Sequence, residues 1–231
     1  MMLSTIRTEM KDRHTHIKKC IDHLKWLTSS DISEDIGIIQ NTLKSTIILM
    51  IYNLIEYIFA EIFDIIYEEL VKHEFNSLKP KIQEQISCHF YQYRNDCTDP
   101  NKKVQLLKEI ISCTNLWKDI NKIGYENVAK KLHNKNISWN VQWGVINKFI
   151  KRYDIKGLTD FEHDETQALF TEIAKQRNSL VHGEASFTFL VQKMSINDIE
   201  NKFNAVMQKL KLFLNCIERY LIDKDFLSSD T

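Results

Sequence analysis

Only five glycines and two prolines punctuate 231 residues. Tight turns draw on glycine for positive φ and on proline for a fixed φ, and sandwiches, barrels and doubly wound sheets need many such turns. A chain this poor in both is expected to be all-α, with long helices joined by few loops. Its 43% hydrophobic and 27% charged content is that of a globular protein and excludes disorder as the dominant state. At this length the chain buries enough of its own surface to need no disulfide or structural metal. The five cysteines (Cys20, Cys88, Cys97, Cys113, Cys216) are odd in number, widely spaced and never arranged as C-x-x-C. Reduced thiols are therefore expected, and neither a disulfide framework nor a zinc site.

The longest uncharged apolar stretch, Ser45 to Ile55, covers 11 residues before Glu56, short of the roughly 18 to 20 that a membrane span needs. It reads as part of a core helix. The first residues, MMLSTIRTEMKDRHTHIKK, are charged throughout and lack the apolar region of a secretion signal. A soluble, cytoplasmic protein is expected. Lysine plus arginine equal aspartate plus glutamate, 31 each, but the charge is unevenly spread. Residues 28–74 hold 2 basic and 9 acidic side chains, net −7, whereas residues 101–156 hold 12 basic and 4 acidic, net +8. A neutral total thus conceals a dipolar chain.

Along the sequence, Ile6, Met10, Ile17, Ile21 and Leu24 recur at helical spacing and predict an amphipathic helix over residues 2–27. A long helix from about Ile39 to Glu74 is so apolar near its centre that it should be the spine of the fold. Pro80 and Pro100 bracket a shorter helix at about 81–93, and another is expected at about 103–119. Residues 120–158 are less regular, with one helix near 142–153. Next comes a helix from about Asp164 to His182, with acidic residues in its first turn and Gly183 at the place of a left-handed cap. Ala185 to Gln192 reads as extended. Ser195 with Asp198 three residues later is a capping-box signal for a last helix reaching about Ile222. There is no internal repeat, and 1–231 is read as a single domain with a basic inserted segment at about 75–160.

The chemically informative run is Arg177-Asn178-Ser179-Leu180-Val181-His182-Gly183. At about 100° per residue, Leu169, Phe170, Ile173, Ala174, Leu180 and Val181 share one arc, the expected buried stripe, and Arg177 falls within it. A buried guanidinium needs an acceptor or a cleft. Asn178 and His182, spaced i, i+4, stack on an adjoining polar face. An imidazole can move protons near neutral pH, and a guanidinium can hold the extra charge of a pentacoordinate phosphorus, so the set suffices for phosphodiester cleavage without metal. The same residues also admit a structural reading: an arginine in an ion pair and a histidine near a helix C-terminus. In the spine helix, Tyr52-Asn53-Leu54-Ile55-Glu56 places Glu56 among Leu49, Phe59, Ala60 and Phe63, where a lone carboxylate is costly. Arg177 is the comparably misplaced cation. The two are expected to pair, with Asn53 close enough to hydrogen-bond, unless Glu56 reaches the surface through a gap in packing.

Arg177-Asn178 followed by His182-Gly183, with Ser186-Phe187 just after, resembles the R-x-x-x-x-H signature of the HEPN (higher eukaryotes and prokaryotes nucleotide-binding) superfamily. The Thr46 to Glu61 spine with its Tyr-Asn-x-x-Glu core resembles a stand-alone HEPN subfamily of prokaryotic defence and toxin–antitoxin ribonucleases. The two blocks cover about 40–70 and 165–220. The resemblance implies an HEPN-like helical bundle of long antiparallel helices that forms a homodimer and brings two Arg-His motifs into one cleft. It implies catalytic roles for Arg177 and His182, assisted by Asn178, and supporting roles for Glu56 and Asn53. The implied reaction is metal-independent attack of a ribose 2′-hydroxyl on the adjacent phosphate, leaving a cyclic phosphate, with RNA as substrate, no cofactor and an antitoxin as a further partner. A related HEPN group carries a tyrosine two positions after the histidine that a partner enzyme modifies; Glu184 stands there, so that regulation is not expected. The alternative is a non-catalytic HEPN module binding a nucleotide or protein, or a plain helical scaffold.

His14, His16 and His23 do not make a metal set by spacing, because His14 and His16 point about 160° apart on a helix. Lys130, Lys131, His133 and Lys135, with Trp139 and Trp143 near, combine cations with stacking surfaces suited to single-stranded RNA, although a solvated helix with core tryptophans uses the same residues. Lysines gather a polyanion by releasing its condensed counterions, so RNA binding is expected to weaken steeply with salt. Replacing Lys130, Lys131 and Lys135 together by Gln should flatten that dependence. RNA titrations at two salt concentrations check this, and superimposable curves for wild type and triple variant reject an RNA-gathering role.

Overall fold

A computed structural model describes residues 3–29, 35–70, 72–83, 143–158, 161, 164–182 and 186–228. Six α-helices are described: α1 (Ser4–Ser29), α2 (Asp35–Leu70), α3 (Trp143–Arg152), α4 (Asp164–Val181), α5 (Phe187–Val191) and α6 (Ile196–Ile222), with a 3-10 turn at Phe75–Ser77. No strand is present among the described residues, only an isolated antiparallel bridge between Leu78 and Leu227. The fold is all-α, as the shortage of turn residues requires. The helices expected at 81–93 and 103–119 lie outside the described residues, save the turn at 80–83.

Helix α1 buries Ile6, Met10, Ile17, Ile21 and Leu24, the stripe its spacing predicts. Helix α2 starts earlier than expected and stops at Leu70, where the N–H groups of Lys72 and His73 turn back onto the carbonyls of Glu69 and Leu70. Such i→i+3 bonds tighten a helix end and satisfy its last carbonyls. Residues Ile36–Leu70 are long and apolar enough, by length and composition, to cross a membrane; half of their most apolar window is buried within the protein. At the start of α6, the Ser195 N–H and hydroxyl donate to Asp198 Oδ2 at 2.8 and 2.7 Å, and the Asp198 N–H donates to Ser195 Oγ at 3.1 Å. This is the reciprocal capping box that the sequence spelled out.

Two expectations fail. Ala185 to Gln192 is not extended: its described part contains α5, started by Ser186, whose hydroxyl accepts the Phe189 N–H at 3.1 Å. An N-cap fixes a helix start locally and here outweighs the strand preference of Phe, Thr and Val. Val181 is not in the buried stripe. It ends α4 and is 55% exposed, because the periodic face has no further turn to pack.

The described residues form two compact units, and the division falls within α2 between Glu61 and Ile62 and within α6 between Asn215 and Cys216. The first unit contains α1, α4, α5, the earlier part of α2, most of α6, and Trp143, Leu158 and Phe161. Its centre is Phe59, whose ring lies 4.6 Å from Phe213, 6.3 Å from Phe170 and 6.4 Å from Phe161. Helix α1 runs antiparallel to α6: Arg7 donates to Asn215 at 3.0 Å, His14 stacks on Phe203, and Lys18 and Lys25 both grip Glu200 at 2.6 Å. Those two ammonium groups hold the Glu200 carboxyl below the usual carboxylate range. Among the described residues no group of three or more His, Cys, Asp or Glu could hold a metal; His14 stacks on Phe203, and His23 stacks on Trp26.

In the second unit, Phe63 packs on Phe149 at 4.0 Å and Tyr220 packs on Phe226 at 5.8 Å. The Tyr220 hydroxyl donates to the Tyr153 carbonyl at 2.8 Å, and its burial pushes the phenol well above its ordinary pKa. Lys79 reaches Asp225 at 3.0 Å and Asp154 at 3.6 Å, beside the bridge at Leu78. Cys216 donates to the Gly157 carbonyl at 3.2 Å, where Gly157 adopts φ +80°.

Removing the ring that joins α2, α4 and α6 leaves a cavity that rigid helices cannot close. Phe59→Ala is expected to cost about 3–5 kcal/mol, as large-to-small aromatic core substitutions do. Urea denaturation measures it, and a loss under about 1 kcal/mol would contradict this account of the core.

Candidate active site on α4

The site lies in the first unit, where α4 and α2 share a register. Phe170 of α4 meets Phe59 of α2. Seven residues on from Phe170 stands Arg177, and seven back from Phe59 stands Tyr52. Seven residues make about two helical turns and return the chain to nearly the same face. Antiparallel helices in contact at Phe59 and Phe170 therefore also meet at Tyr52 and Arg177. The Arg177 Cζ lies 5.0 Å from the centroid of the Tyr52 ring.

Arg177 is half-buried, on a helix that buries Phe170, Ile173, Ala174 and Leu180. Its Nη1 donates to Asn178 Oδ1 at 3.2 Å. Tyr52 is 1% exposed. It also hydrogen-bonds to the Glu56 carboxyl one turn on. The sequence places Glu56 and Arg177 as mutual partners, but no direct ion pair joins them among the described residues; Tyr52 stands in contact with both. Burial pushes the Glu56 carboxyl above the ordinary glutamate range, while the Arg177 charge and the Tyr52 hydrogen bond pull it down by less. Its Oε1 is buried and meets no hydrogen-bond partner among the described residues. Glu56 as a whole is only half-buried, so part of its side chain reaches the surface, the alternative to direct pairing.

The other motif residues sit apart from this chain of contacts. His182 follows α4 directly and is exposed; its backbone N–H donates to the Asn178 carbonyl at 2.9 Å, and its side chain makes no hydrogen bond among the described residues. Asn53 is exposed on α2 and makes no hydrogen bond to Arg177, Asn178 or Glu56 among the described residues. Lys130, Lys131 and Lys135 lie outside the described residues. A nearby cleft lined by Glu172, Lys193, Met194, Asp198, Asn201 and Lys202 includes none of the motif residues. Three of its charges are already engaged: Lys202 with Glu172 at 2.5 Å, and Asp198 in the α6 cap.

The residue that sequence reasoning missed is Tyr52. Its i, i+4 spacing to Glu56 was a signal for the hydroxyl–carboxyl contact, but nothing local foretells the cation above its ring. Lys44 was also missed; it donates to the Met194 carbonyl at 2.8 Å, and burial lowers its pKa.

The described helices thus carry Arg177 and Asn178 near the end of α4, His182 directly after it, and Tyr52 and Glu56 on α2. The match to the MAE_28990-like HEPN family extends over residues 2–226, through the segment that the two blocks leave uncovered, and the chain belongs to that family. Membership points to a nuclease or other RNA-related module. No curated protein and no solved structure matches the chain.

The raised Glu56 pKa has a sign that can be checked. Below the ordinary value of 4.5 the carboxyl is protonated in both folded and unfolded chains, so burial carries no charge penalty. Above the folded value the penalty is complete. Glu56→Gln removes it, so the variant's melting temperature should gain on wild type as pH rises from about 4 to about 8. Circular dichroism melts across that range would show a constant difference if the carboxyl were not shifted upward.

Proposed function

We propose that this chain is a metal-independent endoribonuclease that acts as a homodimer in the cytoplasm, as a toxin or antiphage effector held in check by a protein antitoxin. The observation that carries the reading is an exposed imidazole, His182, directly after α4, five residues on from a half-buried guanidinium, Arg177, near the end of that helix in an HEPN chain. In the reaction, an imidazole takes the proton of the ribose 2′-hydroxyl as its oxygen bonds to phosphorus. The bond from phosphorus to the 5′-oxygen breaks, and that oxygen receives a proton from an imidazolium. Two copies of His182 in a dimer cleft supply both partners. Arg177 holds the added negative charge of the pentacoordinate phosphorus, and Asn178 steadies its Nη1.

A non-catalytic HEPN module is the second reading. It is favoured by one observation: Arg177 is already engaged by Tyr52 and Asn178, as a packing arginine would be. Incubation of purified protein with mixed RNAs in EDTA separates the two. Wild type should cleave to products ending in cyclic phosphate. His182→Ala should lose about 10²-fold or more of that rate. Its helicity and melting should stay within roughly 0.5 kcal/mol of wild type, since the side chain is exposed. Undiminished cleavage by His182→Ala would remove the assignment at this site, and no cleavage by wild type would favour the binding module.

A further inference from the structure

A guanidinium has two chemically different aspects. Its planar edge carries five N–H donors, while its face carries none and accepts an aromatic ring. A carboxylate forked onto Arg177 would occupy two edge donors. The structure instead sets the guanidinium over the Tyr52 ring, with Cζ 5.0 Å from the centroid, and engages one edge donor with Asn178 at 3.2 Å. Tyr52 cannot move aside readily: it is 1% exposed, and its neighbours Ile48, Ile51 and Ile55 are fully or almost fully buried. Its hydroxyl is tied to Glu56, and a phenol hydrogen-bonded to a carboxylate is polarised toward greater electron density in its ring.

We infer that Tyr52 is the positioning residue of Arg177, seating the guanidinium over its ring while one N–H donates to Asn178, so that further N–H donors are held in place for an anionic group. Glu56 and Arg177 then act on each other through their fields, with Tyr52 as a shared neighbour and without direct pairing. For its effect on cleavage the inference rests on the ribonuclease reading; for the geometry it does not. The anionic group is the scissile phosphate of RNA, whose added charge in the transition state needs in-plane donors.

Two readouts test this and fail independently. In the nuclear magnetic resonance spectrum, the Arg177 side-chain N–H signal, identified by its loss in Arg177→Lys, should be displaced by the ring current of Tyr52. Tyr52→Phe keeps the ring and should keep the displacement, whereas Tyr52→Met fills similar volume without a ring and should return the signal to the ordinary arginine position. In RNA cleavage, Tyr52→Met should lower kcat by roughly 10- to 100-fold with little change in KM, the signature of a misplaced transition-state contact. Tyr52→Phe and Glu56→Gln should fall between it and wild type. A wild-type Arg177 signal at the ordinary position overturns the inference without any variant, so a Met variant that fails to fold does not shelter it. A folded Tyr52→Met with wild-type kcat overturns it equally. If wild type cleaves no RNA, the ribonuclease reading falls, and the spectrum alone decides whether Tyr52 holds Arg177.

Discussion

One aromatic contact sets the register on which the site depends. Phe59 of α2 and Phe170 of α4 meet edge to face, with centroids 6.3 Å apart. Phe59 also touches Phe161 and Phe213, so this ring cannot shift along its helix without emptying the first unit's core. Once α2 and α4 are fixed there, two turns of helix, about 10 Å of rise, bring Tyr52 beneath Arg177. Neither Tyr52 nor Arg177 needs an anchor of its own in sequence. Displacing either helix by one residue would rotate it by about 100° and separate the guanidinium from the ring. Core packing and site geometry are the same constraint at two points of one helix pair.

That dependence explains how much could be read beforehand. The α1 stripe and the α6 capping box are local: the stripe needs only periodicity, and Ser195 reaches Asp198 within one turn. The Arg177 and Glu56 anomalies were legible because a charge among apolar neighbours stands out on a helical projection. Their resolution was not, since it runs through a tyrosine whose ring is defined by tertiary register. Val181 and the Ala185–Gln192 stretch failed for a simpler reason. Composition describes what a residue prefers, whereas the end of α4 and the Ser186 cap decide what the backbone there does. The HEPN likeness was legible because its two blocks lie on the two helices that Phe59 and Phe170 clamp together.

The site is costly to the fold. A chain selected for stability alone would place apolar residues at 56 and 177, as large buried ion networks can often be replaced by hydrophobic side chains without loss. Here the Glu56 carboxyl is partly desolvated, one of its oxygens is buried without a partner among the described residues, and the guanidinium it attracts stays out of direct reach. Local inconsistency of this kind in an otherwise well-patterned helix concentrates at functional positions, where the surrounding packing sustains it.

The proposed positioning role gives a reason for an aromatic ring to neighbour both charges. With Glu56 paired directly to Arg177, the arginine would be fully satisfied within the subunit and electrically quiet toward any ligand. With no acid nearby, a half-buried guanidinium would lack compensation for its lost hydration. On that proposal a neighbouring phenol divides these demands: the carboxyl lowers the potential at the cation from beyond hydrogen-bonding contact, and the ring supplies a contact that uses no carboxylate acceptor. Charge compensation is thereby separated from donor saturation. An arginine so held keeps its cationic field and most of its directional hydrogen bonds, the two properties needed to recognise a phosphate whose charge increases during reaction.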